Sequence, residues 1–164
     1  MSTEVKSAFD VSEPIVRRKK LGAVNHGGMF TAIDFGEYGE FATDEPIGHG
    51  GTGEGPSPLQ TVLGALLGCE SVTFHRTATE MGFGYQGIEY SAEFSIDIRG
   101  RLGVRGVTQH FQTIRVEAHV ATNESEDRLR EVVEETEARC PVFNLMKDAG
   151  VKTEMLWVKV DPEA

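Results

Sequence analysis

The stretch from residue 53 to residue 74 reads GEGPSPLQTVLGALLGCESVTF and largely decides how the chain is interpreted. Ser57 and Gln60 fit a capping box around a proline, which is typical of a helix start. Apolar residues then cover most sides of the helical pattern as far as Met81. Because a helix that is apolar on most sides is buried on most sides, we expect it at the centre of the molecule or of a dimer, with Cys69 in its interior.

The segment before this helix predicts short strands and loops. NHGG at residues 25–28 is a turn signal, and residues 29–43 have the pattern of a hairpin broken by glycines. The glycine-rich loop GHGGTGEGPSP lacks the Gly-Lys-Ser/Thr sequence of a phosphate-binding loop, and Glu54 would repel phosphates. We interpret it as a structural loop.

The segment after the helix predicts two strands, two helices and a last strand. Apolar and polar residues alternate over residues 88–98 and again over residues 114–120, which is typical of antiparallel strands with one exposed face. Asn123 and Glu126 predict the cap of a helix that ends at Cys140. A short helix follows, and VKTEMLWVKV predicts a final strand. Strands grouped on both sides of a buried helix indicate an α+β fold.

The charge of the chain argues against nucleic acid and anionic lipid as partners. The formal net charge of the 164 residues is -10, whereas phosphate binding needs a positive surface. Arg99, Arg101 and Arg105 form a basic cluster, which we interpret as a solvated loop, with an anion-binding loop as the alternative. No run of eighteen apolar residues predicts a membrane span.

The N-terminal sequence and the number of cysteines predict the cellular compartment of the protein. MSTEVKSAFDVSEP lacks the apolar region of a secretory signal, and two cysteines are too few for a disulfide scaffold, so we expect a cytoplasmic protein. Residues 1–24 are predicted to be an N-terminal arm and residues 25–164 a single domain.

The two cysteines have different local settings. Cys140 stands before Pro141 at a predicted helix start, where free N–H groups and the helix dipole favour a thiolate, and Arg139 could assist. Cys69 is most simply a small buried hydrophobe. Either cysteine could be purely structural, but a pair on central helices could also form the transient disulfide of a thiol peroxidase or redox sensor.

A metal site is not expected. The sequence contains no CxxC or HExxH, and the five histidines show no ligand spacing. We expect no cofactor.

The two cysteine segments together resemble the OsmC/Ohr family, the osmotically inducible and organic-hydroperoxide-resistance proteins. The resemblance rests on GEGPSPLQTVLGALLGCESVTF and, with the second cysteine 71 residues after the first, on ARCPVFNLMKDAG, where Asn144 stands three residues beyond the Cys-Pro. It covers roughly residues 25–160, and GPSPLQ resembles the OsmC-like branch. It implies an intertwined homodimer with two long central helices, curved antiparallel sheets and active sites at the dimer interface.

The resemblance also implies a thiol-dependent peroxidase that acts on organic hydroperoxides in oxidative-stress defence. Cys69 matches the peroxidatic thiol and Cys140 the resolving thiol, with an external dithiol as reductant. This reverses the local interpretation, in which Cys140 is the more activated thiol. The alternative is a dimer of little or no catalytic activity that binds a hydrophobic small molecule in its interface cleft.

The sequence departs from the family pattern around the peroxidatic thiol. In the family, an N-terminal arginine holds the thiolate and is oriented by a glutamate directly after the loop proline. Leu59 occupies the glutamate position here, which favours the ligand-binding alternative. Glu70, beside Cys69, is a candidate substitute, as is Glu54 in the loop. The candidates for the arginine are Arg17 and Arg18.

Overall fold

The structure, a computed structural model, describes residues 11–162. The first ten residues of the predicted arm therefore lie outside the described residues. Residues 11–21 form no helix or strand, and the end of the arm, Gly22–Val24, forms the first strand, β1.

The first of two compact units ends at Thr61 and contains a small antiparallel sheet. Strand β2 (Thr31–Asp34) pairs with β1 on one side and with β3 (Glu40–Thr43) on the other. The Asn25 side chain donates a hydrogen bond of 2.8 Å to the carbonyl of Phe30 and closes the β1–β2 turn. The antiparallel pairing of β2 with β3 confirms the hairpin predicted for residues 29–43. Two single-turn 3-10 helices accompany it, at Gly36–Tyr38 and Ile47–His49.

The glycine-rich loop folds around the buried carboxylate of Asp44. This carboxylate accepts hydrogen bonds from the Thr52 hydroxyl at 2.6 Å and from the backbone N–H groups of Glu45, Thr52 and Glu54 at 2.8, 2.9 and 3.2 Å. A Cβ on Gly51 would lie 1.8 Å from the Glu45 carbonyl oxygen, so only glycine fits there. The loop amides bind a carboxylate of the chain itself, which agrees with a structural loop.

Helix α1 (Pro58–Glu80) begins at the predicted capping box. The Ser57 N–H donates to Gln60 Oε1 at 2.9 Å, and the Gln60 N–H donates to Ser57 Oγ at 3.3 Å. Within the single chain, α1 is buried along one face rather than on most sides, because Val72 is 53% exposed. The residues of the buried face are Leu63, Leu66, Glu70, Phe74, Thr77 and Ala78.

The second unit, from Val62 onward, contains a sheet of order β4-β5-β6. Strand β4 (Gly87–Ile96) pairs antiparallel with β5 (Phe111–Ala121), and β5 pairs in parallel with β6 (Lys152–Val160). A short helix, α2 (Ile98–Arg101), lies in the predicted arginine loop. The alternation predicted for β5 is confirmed, since its inward side chains are at most 1% exposed: Ile114, Val116, Ala118 and Val120.

Two helices form the crossover that the parallel pair β5–β6 requires. Helix α3 (Glu126–Arg139) leads directly into α4 (Pro141–Asp148). The predicted cap at Asn123 is wrong: Ser125 is the N-cap, and its Oγ accepts from the Arg128 N–H at 3.2 Å. Ser125, two residues after Asn123, also has a side-chain oxygen that can accept a capping hydrogen bond. The sequence pattern therefore does not distinguish the two residues. Helices packed with sheets confirm the α+β fold. The second sheet is mixed rather than wholly antiparallel as expected, because the α3–α4 crossover returns the chain in the direction of β5.

Aromatic rings join α1 to the β4-β5-β6 sheet. Phe74 is fully buried and stacks on Trp157 of β6, with ring centroids 5.2 Å apart. Phe83 and Tyr85 meet the Phe74 ring edge to face at 6.0 and 5.1 Å. This packing sets the rotation of α1 in the second unit, and with it the direction of every side chain on the buried face.

Replacing Ser57 with alanine is expected to lower the free energy of unfolding by about 1 kcal/mol, because the Gln60 N–H loses its acceptor. Urea unfolding followed by far-UV circular dichroism measures the change. The matched control is Ser91→Ala at an exposed position of β4, which should change stability by less than about 0.5 kcal/mol. Equal effects of the two substitutions would contradict the capping role.

Asp44→Asn is expected to destabilise the protein at neutral pH but not in strong acid. The hydrogen bonds from Thr52 and the loop amides lower the pKa of Asp44 from 3.8 to about 2. A depressed carboxyl pKa contributes stability above the unfolded-state value of about 4, and this contribution is lost as the pH falls toward the folded-state value. Unfolding midpoints of both proteins should therefore converge between about pH 4 and pH 2; a constant difference would refute the account.

Candidate functional site

The two cysteines lie at different kinds of position in the second unit. Cys69 is in the middle of α1, whereas Cys140 is the residue between α3 and α4, with φ -72° and ψ 113°. The Asn144 side chain fixes this junction by donating 2.9 Å hydrogen bonds to the carbonyls of Glu137 and Cys140. Asn144, singled out in the sequence for its spacing from Cys140, thus holds the cysteine in place.

The fold brings the two thiols together. Cys140 is fully buried, and its thiol lies close enough to Cys69 of α1 and to the neighbouring carboxyl of Glu70 for both groups to shift its pKa. Both cysteines are free thiols, and Cys69 is partly exposed. The predicted pair, 71 residues apart in sequence, is therefore one cluster in space.

Cys140 is not the activated thiol that its local sequence predicts. Burial raises the pKa of Cys140 to about 12, and the Glu70 carboxyl and Cys69 act in the same direction. The Phe143 N–H at the start of α4 lowers the pKa, as predicted for a helix start, but its effect is smaller than that of burial. Desolvation disfavours the thiolate more strongly than the helix end favours it.

Arg139 does not assist Cys140 either. Its guanidinium forms ion pairs of 2.6 Å with Glu80 and with Glu135 on the surface. Among the described residues, the charged side chain that acts on the Cys140 thiol is the carboxyl of Glu70. The local expectation of a cation beside this cysteine is therefore wrong.

Glu70 is the most unusual residue of the cluster. Its side chain is fully buried, and neither carboxyl oxygen has a hydrogen-bond partner of ordinary geometry among the described residues. Burial raises the pKa of Glu70 to about 7, the charge of Glu137 raises it further, and the contact with Cys140 opposes the shift. Isolated buried carboxylates are costly, so such a residue is a candidate for function.

Two more polar groups line the same region. The Tyr90 hydroxyl of β4 is buried without a hydrogen-bond partner in the described part of the chain. Burial raises the pKa of Tyr90 to about 12, with Ser71 opposing the shift and Glu70 and Cys140 adding to it. Glu137 of α3, whose pKa is raised by burial, accepts a 3.2 Å hydrogen bond from Trp157 Nε1.

The remaining predicted residues lie outside this cluster in sequence. Arg17 and Arg18 are exposed in the segment without helix or strand, and Glu54 is exposed in the loop around Asp44. Leu59, at the position of the family glutamate, is half-buried in the first turn of α1. Their roles at the thiols stay predictions.

The described residues contain no group of three or more His, Cys, Asp and Glu side chains arranged to hold a metal ion. No helix in the described part of the chain is long and apolar enough to cross a membrane.

Sequence reasoning named Glu70 as a possible substitute for the family glutamate but missed its contact with Cys140. The sequence signal for the burial of Glu70 is its spacing from Leu66 and Phe74, each four residues away on the buried face of α1. Tyr90 has no comparable signal, because its place in an alternating strand predicts only an inward direction.

Comparison with known proteins places the chain in a family. The model of the family described as OsmC-like protein matches residues 51–155. No curated protein sequence matches the chain.

Solved structures share the fold at low sequence identity. An OsmC-like protein from Mycoplasma pneumoniae is 19% identical, with 89% of this chain and 99% of that chain covered and a TM-score of 0.73. An organic hydroperoxide resistance protein, OsmC, from Legionella pneumophila is 17% identical, with 90% and 100% covered and a TM-score of 0.67. An organic hydroperoxide resistance protein from Elizabethkingia anophelis is 13% identical, with 89% and 100% covered and a TM-score of 0.68.

Structural similarity at these low identities shows only that the fold is shared. The family model, which spans more than half of the chain, shows that the chain is a member of the family. The match begins at Gly51 within the glycine-rich loop, includes both cysteines and ends at Met155 within β6. The chain belongs to the OsmC-like protein family.

Proposed function

We propose that the protein is a thiol-dependent peroxidase that reduces organic hydroperoxides and contributes to oxidative-stress defence. The observation that carries the proposal is the meeting of Cys69 and Cys140 as free thiols in one cluster. Membership of the OsmC-like family supports it, and the similar proteins from Legionella and Elizabethkingia are described as organic hydroperoxide resistance proteins.

The proposed reaction begins at Cys69, the more accessible thiol. Its thiolate attacks one oxygen of the hydroperoxide, the O–O bond breaks, and the departing alkoxide takes up a proton to become an alcohol. Cys69 is left as a sulfenic acid. The sulfur of Cys140 then displaces hydroxide from Cys69, which yields a disulfide and water. An external dithiol from the cytoplasm reduces the disulfide, and no bound cofactor takes part.

We also propose a homodimer as the working form. Val72 on α1 and Leu145 on α4 are 53% and 62% exposed in the single chain. Burial of such side chains favours association. Light scattering should report about twice the 17.9 kDa mass of the chain.

A second candidate function is binding of a hydrophobic small molecule without turnover. The raised pKa of Cys140 favours it, because a thiol that ionises only near pH 12 resolves a sulfenic acid slowly unless a base assists.

Thiol loss after mixing with one equivalent of an alkyl hydroperoxide separates the two functions. A peroxidase should lose both thiols of each chain rapidly, faster than with hydrogen peroxide. Cys69→Ser should consume no peroxide, whereas Cys140→Ser should consume one equivalent and stop as the sulfenic acid.

The control is free cysteine under the same conditions. Thiol loss no faster than that of free cysteine would favour the binding function. Peroxide consumption at the wild-type rate by both single variants would refute the cysteine mechanism.

A further inference from the structure

The resolving step needs a proton acceptor that the two cysteines do not provide. Cys140 is fully buried, and at neutral pH its thiol keeps its proton because its pKa is raised to about 12. A sulfenic acid also loses hydroxide poorly unless a proton is delivered to the leaving oxygen. One proton must therefore leave the sulfur of Cys140 and one must reach the oxygen on Cys69.

Glu70 is placed to handle both protons. It follows Cys69 directly in α1, and its carboxyl lies close enough to the Cys140 thiol for each group to shift the pKa of the other. The side chain is fully buried, and both oxygens lack ordinary hydrogen-bond partners among the described residues, so no other group competes for them. A carboxyl that only supported the fold would be expected to have its oxygens satisfied.

We propose that Glu70 is the general acid–base catalyst of the resolving step, carrying the proton of the Cys140 thiol to the hydroxyl that leaves Cys69. This proposal rests on the proposed peroxidase function. The Glu70 carboxylate takes the proton as the Cys140 sulfur attacks the sulfur of the Cys69 sulfenic acid. The S–S bond forms, the S–O bond breaks with its electron pair going to oxygen, and the Glu70 proton converts the leaving hydroxide to water. Glu70 ends as the carboxylate, so no external acid or base is consumed.

The surroundings of Glu70 suit this task. Ordinary glutamates are too acidic to act as bases efficiently at neutral pH, and the most effective catalytic pKa lies near the working pH. Burial, with Glu137 of α3, raises the pKa of Glu70 to about 7, so both protonation states are populated at neutral pH. The other titratable groups that act in this region are Cys140, at the α3–α4 junction, and the neutral Tyr90 of β4.

The proposal is testable without peroxide. Ellman's reagent is expected to react first with the more exposed Cys69, releasing one thionitrobenzoate and leaving a mixed disulfide. The Cys140 sulfur then displaces the second thionitrobenzoate, and the Cys140 proton passes to Glu70. Because thionitrobenzoate leaves without needing a proton, the second release reports the base role of Glu70 alone. Cys140→Ser, which should release only one equivalent, confirms the assignment of the two phases.

In Glu70→Gln, the second release is expected to slow by about 100-fold, while the first changes little. The wild-type rate of the second release should rise with pH and level off above about pH 7, following the pKa of Glu70. The Glu70→Gln rate should keep rising in alkali, because the Cys140 thiol must then ionise unaided. Glu70→Asp, which retains a carboxyl, should recover part of the rate.

Glu137→Gln is the matched control, because it removes a nearby half-buried charge without removing the proposed base. It should retain the plateau rate and move the inflection to lower pH, since a charge that raises the pKa of Glu70 is lost. Thermal unfolding of each variant reports whether the fold is intact. Wild-type rate and pH profile in Glu70→Gln, or equal slowing in Glu70→Gln and Glu70→Asp, would overturn the proposal.

The two proposals fail separately. A wild-type protein that releases both thionitrobenzoates but consumes no peroxide would refute the peroxidase function. In that case the rates of the Glu70 variants would still show whether Glu70 acts as a base toward Cys140. A protein that consumes peroxide and whose Glu70→Gln variant resolves at the wild-type rate would refute the role of Glu70 alone.

Discussion

The packing of Phe74 against Trp157 is the interaction on which the site depends. The two rings stack at 5.2 Å and fix the rotation of α1 over the β4-β5-β6 sheet. Glu70 lies four residues before Phe74 on the same buried face, so the contact that buries the ring also buries the carboxyl. Cys69, the residue before Glu70 on the helix, is turned toward the edge of that face, where it stays partly exposed. Hydrophobic packing thus creates the chemical environment of the thiols.

Burial and the helix end act on Cys140 in opposite directions. A cysteine at the start of a helix gains from the free N–H groups, and the Phe143 N–H acts in this way. Full burial and the adjoining carboxyl outweigh that gain and hold Cys140 as a thiol. The arrangement suits a resolving thiol, which needs to be reactive only when an oxidised partner is in contact and a base is at hand.

Much of the fold follows from local sequence signals, because the relevant interactions are local. The capping box at Ser57 and the alternation along β5 each involve residues a few positions apart, and both are confirmed. The cap of α3 was misplaced by two residues because Asn123 and Ser125 carry equivalent chemistry. The parallel pairing of β6 with β5 has no local signal, since it depends on the path of the α3–α4 crossover.

The site is only partly predictable from the sequence, because its chemistry depends on residues that are far apart in the chain. The resemblance to the OsmC/Ohr family named both cysteines, and the fold brings them into contact. The electrostatic state of the thiols depends on which side chains meet across α1, α3 and β4. That the Glu70 and Tyr90 side-chain oxygens have no hydrogen-bond partner in the described part of the chain is visible only in three dimensions. The local sequence therefore predicts a shift of the Cys140 pKa in the wrong direction, because the helix start and Arg139 are visible in the sequence but burial is not.

Peptide mapping after exposure to one equivalent of an alkyl hydroperoxide shows whether Cys69 and Cys140 form a redox couple. Proteolysis under non-reducing conditions followed by mass spectrometry identifies the linked peptides. If the two thiols are a redox couple, the peptide containing Cys69 will be recovered joined to the peptide containing Cys140, and reduction by a dithiol will release both. Recovery of both cysteines as unlinked thiols, or of Cys69 oxidised with Cys140 untouched, would contradict a redox couple.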